Sequence, residues 1–273
     1  MRVVTCQINS QGDKAANIRT ALELLDRAAA QGADLAVLPE YVEYMGDDAG
    51  ALAAAEAIPG ATTDAFAAKA REHGMNIVIG SMRAKVEGDV RCANTSVLID
   101  REGRITAQYR KLHLYDVDLP GRVYYKESDT VACGNDVVTA EIDGVKVGLS
   151  ICYDVRFPEL FRIQALSGAR ILIVPAAFTL FTGRDHWELL LRARAVENQC
   201  YVIAAGQVGT YLPGKACNGR SMIIDPWGTV MACASDTVGT AVADLDFAYQ
   251  DKIRSELPAL SNRRADVYAI GAN

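Results

Sequence analysis

Clustered metal ligands are missing from this sequence. Its 273 residues include only three histidines, His73, His113 and His186, and no HxH or HExxH pattern joins them. The seven cysteines (Cys6, Cys92, Cys133, Cys152, Cys200, Cys217 and Cys233) are odd in number, scattered and never spaced as CxxC. The first absence leaves no pattern for a catalytic metal. The second argues against a disulfide framework and against a cysteine zinc site. A hydrolase built on this chain is therefore expected to work without metal or cofactor. Basic clusters are also absent, and a net charge of −6 argues against nucleic acid as a partner. No apolar run approaches the length needed to span a bilayer. The opening stretch MRVVTCQINS lacks the apolar core of a signal peptide and reads as a first strand. These features together predict a cytoplasmic protein.

Half of the residues are apolar and 23% are charged, the balance of a soluble globular chain. No linker, low-complexity tract or short-period repeat interrupts it, so residues 1–273 read as one domain. Strand and helix patterns alternate. RVVTCQI precedes an amphipathic stretch from Lys14 to Ala30, then the strand DLAVLPE. Ile58-Pro59-Gly60 marks a turn before a helix capped by Thr62 or Thr63. MNIVIGSM and TSVLID read as strands, with a hairpin turn between Asp100 and Arg104 leading into ITAQYRKLHL. VKVGLSIC, a helix opened by Pro158, RILIVPAAF, the helix HWELLLRARAVENQ and YVIAAGQV follow. A four-strand run ending near Asp246 and a last helix around 248–256 complete the pattern. Several strands are apolar on both faces, and there are too many for one simple sheet. The expectation is an α/β fold with two sheets packed face to face and helices outside.

Three strands end on a chemically capable residue: DLAVLPE on Glu40, QYRK on Lys111 and GLSIC on Cys152. Sites in α/β sheets collect at the carboxyl ends of strands, so these three are candidates for convergence. Singly, each has a plain alternative. Glu40 and Lys111 read equally as solvated charges, and a free cysteine is among the most buried residue types. Together they suffice for acyl transfer. A carboxylate takes the thiol proton and later activates water, the thiol is the nucleophile, and an ammonium stabilises thiolate and oxyanion.

LPE, YRKLHLYD and ICYDVRFPEL resemble the three signature motifs of the nitrilase, or carbon–nitrogen hydrolase, superfamily, in order and in spacing. FTGRDHWELLLRARAVENQCYVIAA, SMIIDPWGTV and LPALSNRRADVY are similar to the branch that contains deaminated glutathione amidase and ω-amidase. The resemblance implies a four-layer αββα sandwich that dimerises into an eight-layer assembly. It also implies Glu40 as general base, Lys111 as oxyanion stabiliser, Cys152 as nucleophile and the Tyr153 backbone N–H as second oxyanion donor. Glu127, in YKESDTVACG, matches a second glutamate that positions substrate or water; otherwise it reads as an exposed loop residue. The helix at 186–199 falls at the dimer interface by the same resemblance.

The chain departs from that pattern at Cys133, where relatives often have proline, and at Arg220, where close relatives commonly have histidine. LPGRVYY also differs, so the substrate-facing loop does not carry over. Arg156 and Arg220 are candidate anchors for an acidic substrate, and Tyr44 and Phe178 are pocket candidates. Trp187, Leu190, Leu191 and Val196 are expected to face inward, with Glu188 and Arg192 paired at i,i+4. Cys6, Cys92, Cys200, Cys217 and Cys233 are expected to fill core. The implied activity is hydrolysis of a small amide, releasing ammonia through a cysteine thioester. A carbamoyl-amide or nitrile hydrolase using the same residues, and a catalytically silent binding protein of the same fold, remain the alternatives.

Overall fold

Alternation along the strands decides the layering. In the computed structural model, which describes residues 1–268 and 270, Val3, Leu35, Val37 and Val78 pack with Val147, Leu149, Ile171 and Ile173 in one core. Their neighbours Val4, Ala36, Ile77 and Ile79 point the other way, into a second core with Leu24, Leu25 and Phe66. Side chains two apart share a face of a sheet. The first core therefore lies between two sheets, and the second lies between one sheet and its helices.

Helices α1 (Lys14–Ala30), α2 (Asp48–Ala53) and α3 (Ala61–His73) belong to the first half; α4 (Pro158–Leu166), α5 (Leu180–Asn198) and α6 (Phe247–Glu256) belong to the second. α1 and α3 cover the outer face of a seven-stranded sheet whose centre, Arg2–Gln7, Leu35–Val37 and Asn76–Lys85, is parallel. α4 and α5 supply Phe161, Trp187 and Leu191 to the core of a six-stranded sheet with a parallel centre at Val145–Leu149, Ile171–Ile173 and Tyr201–Ala204. Antiparallel strands flank both centres. The result is the expected four-layer αββα sandwich. Each parallel centre delivers its strand ends to one rim, and at that rim isolated bridges join Ile8 to Gln207 and Ala176 to Gly206.

Local details differ from the sequence reading in physical ways. The α3 cap is Gly60, not a threonine: Thr63 folds back so that its Oγ1 accepts from Gly60 N at 2.8 Å, while Thr62 donates to Glu56. Five short strands, not four, occupy 208–244, because the chain turns tightly between Leu212 and Lys215. α5 begins at Leu180, before the apolar-periodic stretch. Trp187 and Leu191 are buried and Leu190 is half-buried, but Val196 is 49% exposed, on the outward side of α5. Cys6, Cys92, Cys200 and Cys217 fill core as expected, whereas Cys233 is exposed at the edge strand Val230–Cys233. Glu188 and Arg192 pair at 3.5 Å.

Candidate active site

Four segments end at the same rim. The Leu35–Val37 strand runs through Pro39 to Glu40, and the Ile105–Arg110 strand to Lys111. The Val145–Leu149 strand leads to Cys152 at the head of a 3-10 turn, Cys152–Arg156, and a second 3-10 turn starts on Glu127. Backbone bonds hold the ends in place: Lys111 N donates to Asn94 O (2.9 Å) and Cys152 N to Pro175 O (2.8 Å). Gln207 Nε2 reaches across from the other sheet to Glu40 O at 2.9 Å. Tyr41 and Cys152 sit at φ +54° and +51°, a left-handed conformation that costs non-glycine residues energy and clusters at functional sites. At Cys152 this conformation turns the chain sharply out of the strand.

The polar groups form one buried cluster. Lys111 Nζ, only 2% exposed, lies 3.0 Å from Glu40 Oε1 and 2.8 and 3.1 Å from the two oxygens of Glu127. Asn94 Nδ2 donates to both carboxylates, at 2.8 and 3.2 Å. Tyr41 Oη (2.6 Å) and Tyr115 N (2.7 Å) complete the shell of Glu127, and Ala177 N donates to Glu40 Oε2 at 2.6 Å. Burying a lone charge is expensive, and these partners offset that cost. Burial opposes ionisation of both Lys111 and Glu127, yet their mutual charge wins. The ammonium is held well above its usual range, and the Glu127 carboxyl is held below the ordinary value. Cys152 behaves in the opposite way. Burial, then the Glu40 charge, push its thiol well up despite Lys111 nearby, so the resting sulfur is protonated at neutral pH.

A buried aspartate ties two of the motifs together. Asp154 accepts from Tyr109 Oη (2.6 Å) and Ile151 N (2.7 Å) on one oxygen. On the other it meets His113 N (3.1 Å) and His113 Nδ1 (2.8 Å). His113 also stacks on Phe157, centroid to centroid 3.6 Å. The residues that follow Lys111 are thus locked to those that follow Cys152.

Glu40, Lys111, Glu127 and Cys152 all line one cavity of about 550 Å³, together with Tyr153 and Phe178. Tyr153 is the second residue of its 3-10 turn, where backbone N–H groups have no partner within the turn. Three sequence candidates fall elsewhere. The Tyr44 ring packs with Ala51 and Ala54, in space kept open by Gly46 and Gly50, and the tyrosine that reaches the cavity is Tyr41. Both are aromatic, buried and three residues apart, but they pack in separate clusters. Arg156 lies behind the cavity wall, 5.3 Å over the Phe178 ring, with Nη1 3.3 Å from His186 Nδ1. Arg220 is exposed and paired with Asp236 at 2.9 Å, and its carbonyl accepts from Trp187 Nε1. The cavity cations are instead Arg83, Arg122, Arg184 and Lys215, besides Lys111. Asn94 and Tyr41 complete the charged cluster and were not singled out by the sequence, because a buried asparagine in a strand carries no local signal. Cys133 is exposed and outside the cavity wall. Among the described residues, one group has metal-compatible spacing, Asp26, Glu72 and His73, and Lys69 already bridges its two acids.

Comparison with known proteins agrees with the geometry. The chain is 38% identical over 274 residues to the nitrilase and fragile histidine triad fusion protein NitFhit of Caenorhabditis elegans, covering 99% of this chain and 62% of that protein. The crystal structure of that protein superposes with a TM-score of 0.93, covering 100% of this chain and 67% of that one. The deaminated glutathione amidase of Synechocystis sp. is 41% identical over 261 residues, 94% of this chain and 96% of the relative. A variant amidase from Nesterenkonia sp. AN1, solved with the acetamide moiety of fluoroacetamide covalently added at its active-site cysteine, is 27% identical with a TM-score of 0.81, covering 98% of this chain and 95% of that one. The carbon-nitrogen hydrolase profile matches residues 2–255. With motifs, four-layer fold and whole-length similarity in agreement, this chain belongs to the carbon–nitrogen hydrolase family.

Proposed function

We propose that the protein is a cysteine-dependent amidase that hydrolyses a small primary amide of the deaminated glutathione or ω-amide type. The observation that carries this reading is the meeting of Glu40, Lys111, Glu127 and Cys152 in one cavity. Because the thiol is protonated at rest, attack requires a base, and Glu40 is the carboxylate that acts on it. In the proposed sequence Glu40 takes the thiol proton as sulfur bonds to the amide carbon, giving a tetrahedral oxyanion. Lys111 has three N–H donors. At rest Glu40 and the two Glu127 oxygens take all three, and release of the longer Glu127 contact (3.1 Å) frees one donor to hold the oxyanion with the Tyr153 backbone N–H. Glu40 returns the proton to nitrogen, the C–N bond breaks and ammonia leaves. Water, deprotonated by Glu40, then cleaves the thioester and releases the carboxylic acid. Glu127 positions Lys111, and through it the oxyanion.

The amide preference is supported by the whole-length similarity to a deaminated glutathione amidase. Seven cysteines without a disulfide fit a reducing, cytoplasmic setting, and no helix among the described residues is long and apolar enough to cross a membrane. The test is ammonia release over deaminated glutathione, α-ketoglutaramate, an N-carbamoyl amino acid and an aliphatic nitrile, compared by kcat/KM. An amide is expected to lead. A lead of more than about tenfold for the carbamoyl compound or the nitrile, roughly 1.4 kcal/mol of transition-state preference, contradicts the reading.

A further inference from the structure

The cavity is polarised along its depth. Its reacting groups, Glu40, Lys111, Glu127 and Cys152, are buried, whereas Arg122, Arg184 and Lys215 are exposed on its wall. Those three cations come from separate elements: Arg122 from the turn between strands Asp116–Leu119 and Val123–Lys126, Arg184 from the first turns of α5, and Lys215 from the strand Lys215–Asn218. Among the described residues, the ion pairs made by cavity-lining side chains are those of Lys111 with Glu40 and Glu127, and of Arg83 with Glu43. Arg122, Arg184 and Lys215 make none. Two of them stand over aromatic faces: the Arg122 guanidinium 5.2 Å over the Phe181 ring, and the Lys215 ammonium 5.6 Å over that of Tyr125.

Charge accounting makes the arrangement specific. Two carboxylates outweigh Lys111 in the depth, and Glu43 neutralises Arg83, leaving three uncompensated positive charges at the outer end. This concentration lies in a chain whose net charge is −6. A cleft lined by one sign of charge focuses its field and raises the local concentration of oppositely charged ligand. Guanidinium groups also offer paired donors that match a carboxylate. We propose that Arg122, Arg184 and Lys215 form a subsite for a carboxylate at the substrate end remote from the amide, with Phe181 holding Arg122 in place. The enzyme thus reads its substrate at both ends, an amide in the depth and an anion at the mouth. This rests on the amidase reading for what happens at the inner end, but not for the binding of the anion.

The experiment uses two measurements. The first compares kcat/KM for a series of straight-chain primary amides bearing a terminal carboxylate with alkyl amides of the same length. One chain length is expected to favour the carboxylate by tenfold or more. Replacing Arg122, Arg184 or Lys215 with glutamine should each cut that ratio about twofold to fivefold, chiefly through KM, as for exposed charge pairs. The triple variant should bring it close to one. The second is calorimetric binding of the matching dicarboxylate product, which needs no turnover. Its Kd should weaken in the triple variant and with added salt. If both substrate types lose activity equally, or the dicarboxylate binds wild type and triple variant alike, the subsite is refuted. If no amide is hydrolysed while the dicarboxylate still binds in a manner dependent on these cations, the amidase reading fails and the subsite stands.

Discussion

At the residue scale, the proposed mechanism asks an ordinary buried thiol to serve as nucleophile, and the cluster places a carboxylate and an ammonium beside it. Burial and the Glu40 charge keep Cys152 protonated, so reactivity depends on proton transfer and not on a standing thiolate. The sign is therefore opposite to that of a cysteine activated by a cationic site. Iodoacetamide alkylation of Cys152, followed by peptide mapping against pH, should keep rising above pH 9; a plateau below pH 8 would mean a preformed thiolate. Cys152→Ala, Lys111→Ala and Glu40→Gln should each lower kcat by about 10³ or more, with losses that do not add, since the three act as one unit. Tyr41→Phe removes only the 2.6 Å bond to Glu127. A hydrogen bond to a charge contributes about 1.5–3 kcal/mol, so kcat is expected to fall about tenfold to a hundredfold with KM nearly unchanged. An unaltered kcat would show that Glu127 is held without it. Glu40, Lys111 and Cys152 were legible in the sequence because each ends a strand within a motif. Tyr41 and Asn94 were not, since each joins the cluster through a contact with a residue distant in sequence.

At the element scale, the fold's task is to bring strand ends from two sheets within hydrogen-bonding distance. Asp154 does this by accepting from both the Lys111 segment and the Cys152 turn. Asparagine at this position offers one acceptor oxygen where the carboxylate has two. Asp154→Asn should therefore cost about 2–4 kcal/mol in urea unfolding and lower kcat as well; full stability would show that the two segments are held by packing alone. Gly80 serves the same junction, since a Cβ there would collide with the Leu38 carbonyl and with Pro175, one from each sheet. The layers and most strands could be read from apolar alternation and from Pro158 at a helix start. The hairpin spanning Asp116–Lys126, the helix α2 and the Gly60 cap could not. Those elements are short, and tertiary contacts shape them more than periodicity does. Arg156 and Arg220, near the motifs in sequence, lie outside the cavity lining, whereas Arg122 and Lys215, on hairpins without a periodic signature, are part of it.

At the scale of the whole molecule, the outer side of α5 carries exposed Leu189 and Val196, and the nearby turn adds Trp227. An apolar patch of this kind suits association, and the homodimer implied by the family resemblance is expected to cover it. Sedimentation should give twice the chain mass, and Leu189→Asp with Val196→Asp should shift it to one; a wild-type monomer at micromolar concentration would contradict the dimer. In the proposed mechanism the acyl group of the amide passes through a thioester on Cys152. The most direct measurement is peptide mass spectrometry of enzyme mixed with an amide substrate and quenched in acid during turnover. A mass gain equal to the acyl group less one hydrogen is expected, confined to the peptide containing Cys152, removed by hydroxylamine and absent from Cys152→Ala. Steady turnover with that peptide unmodified, or with the acyl group on another residue, would contradict it.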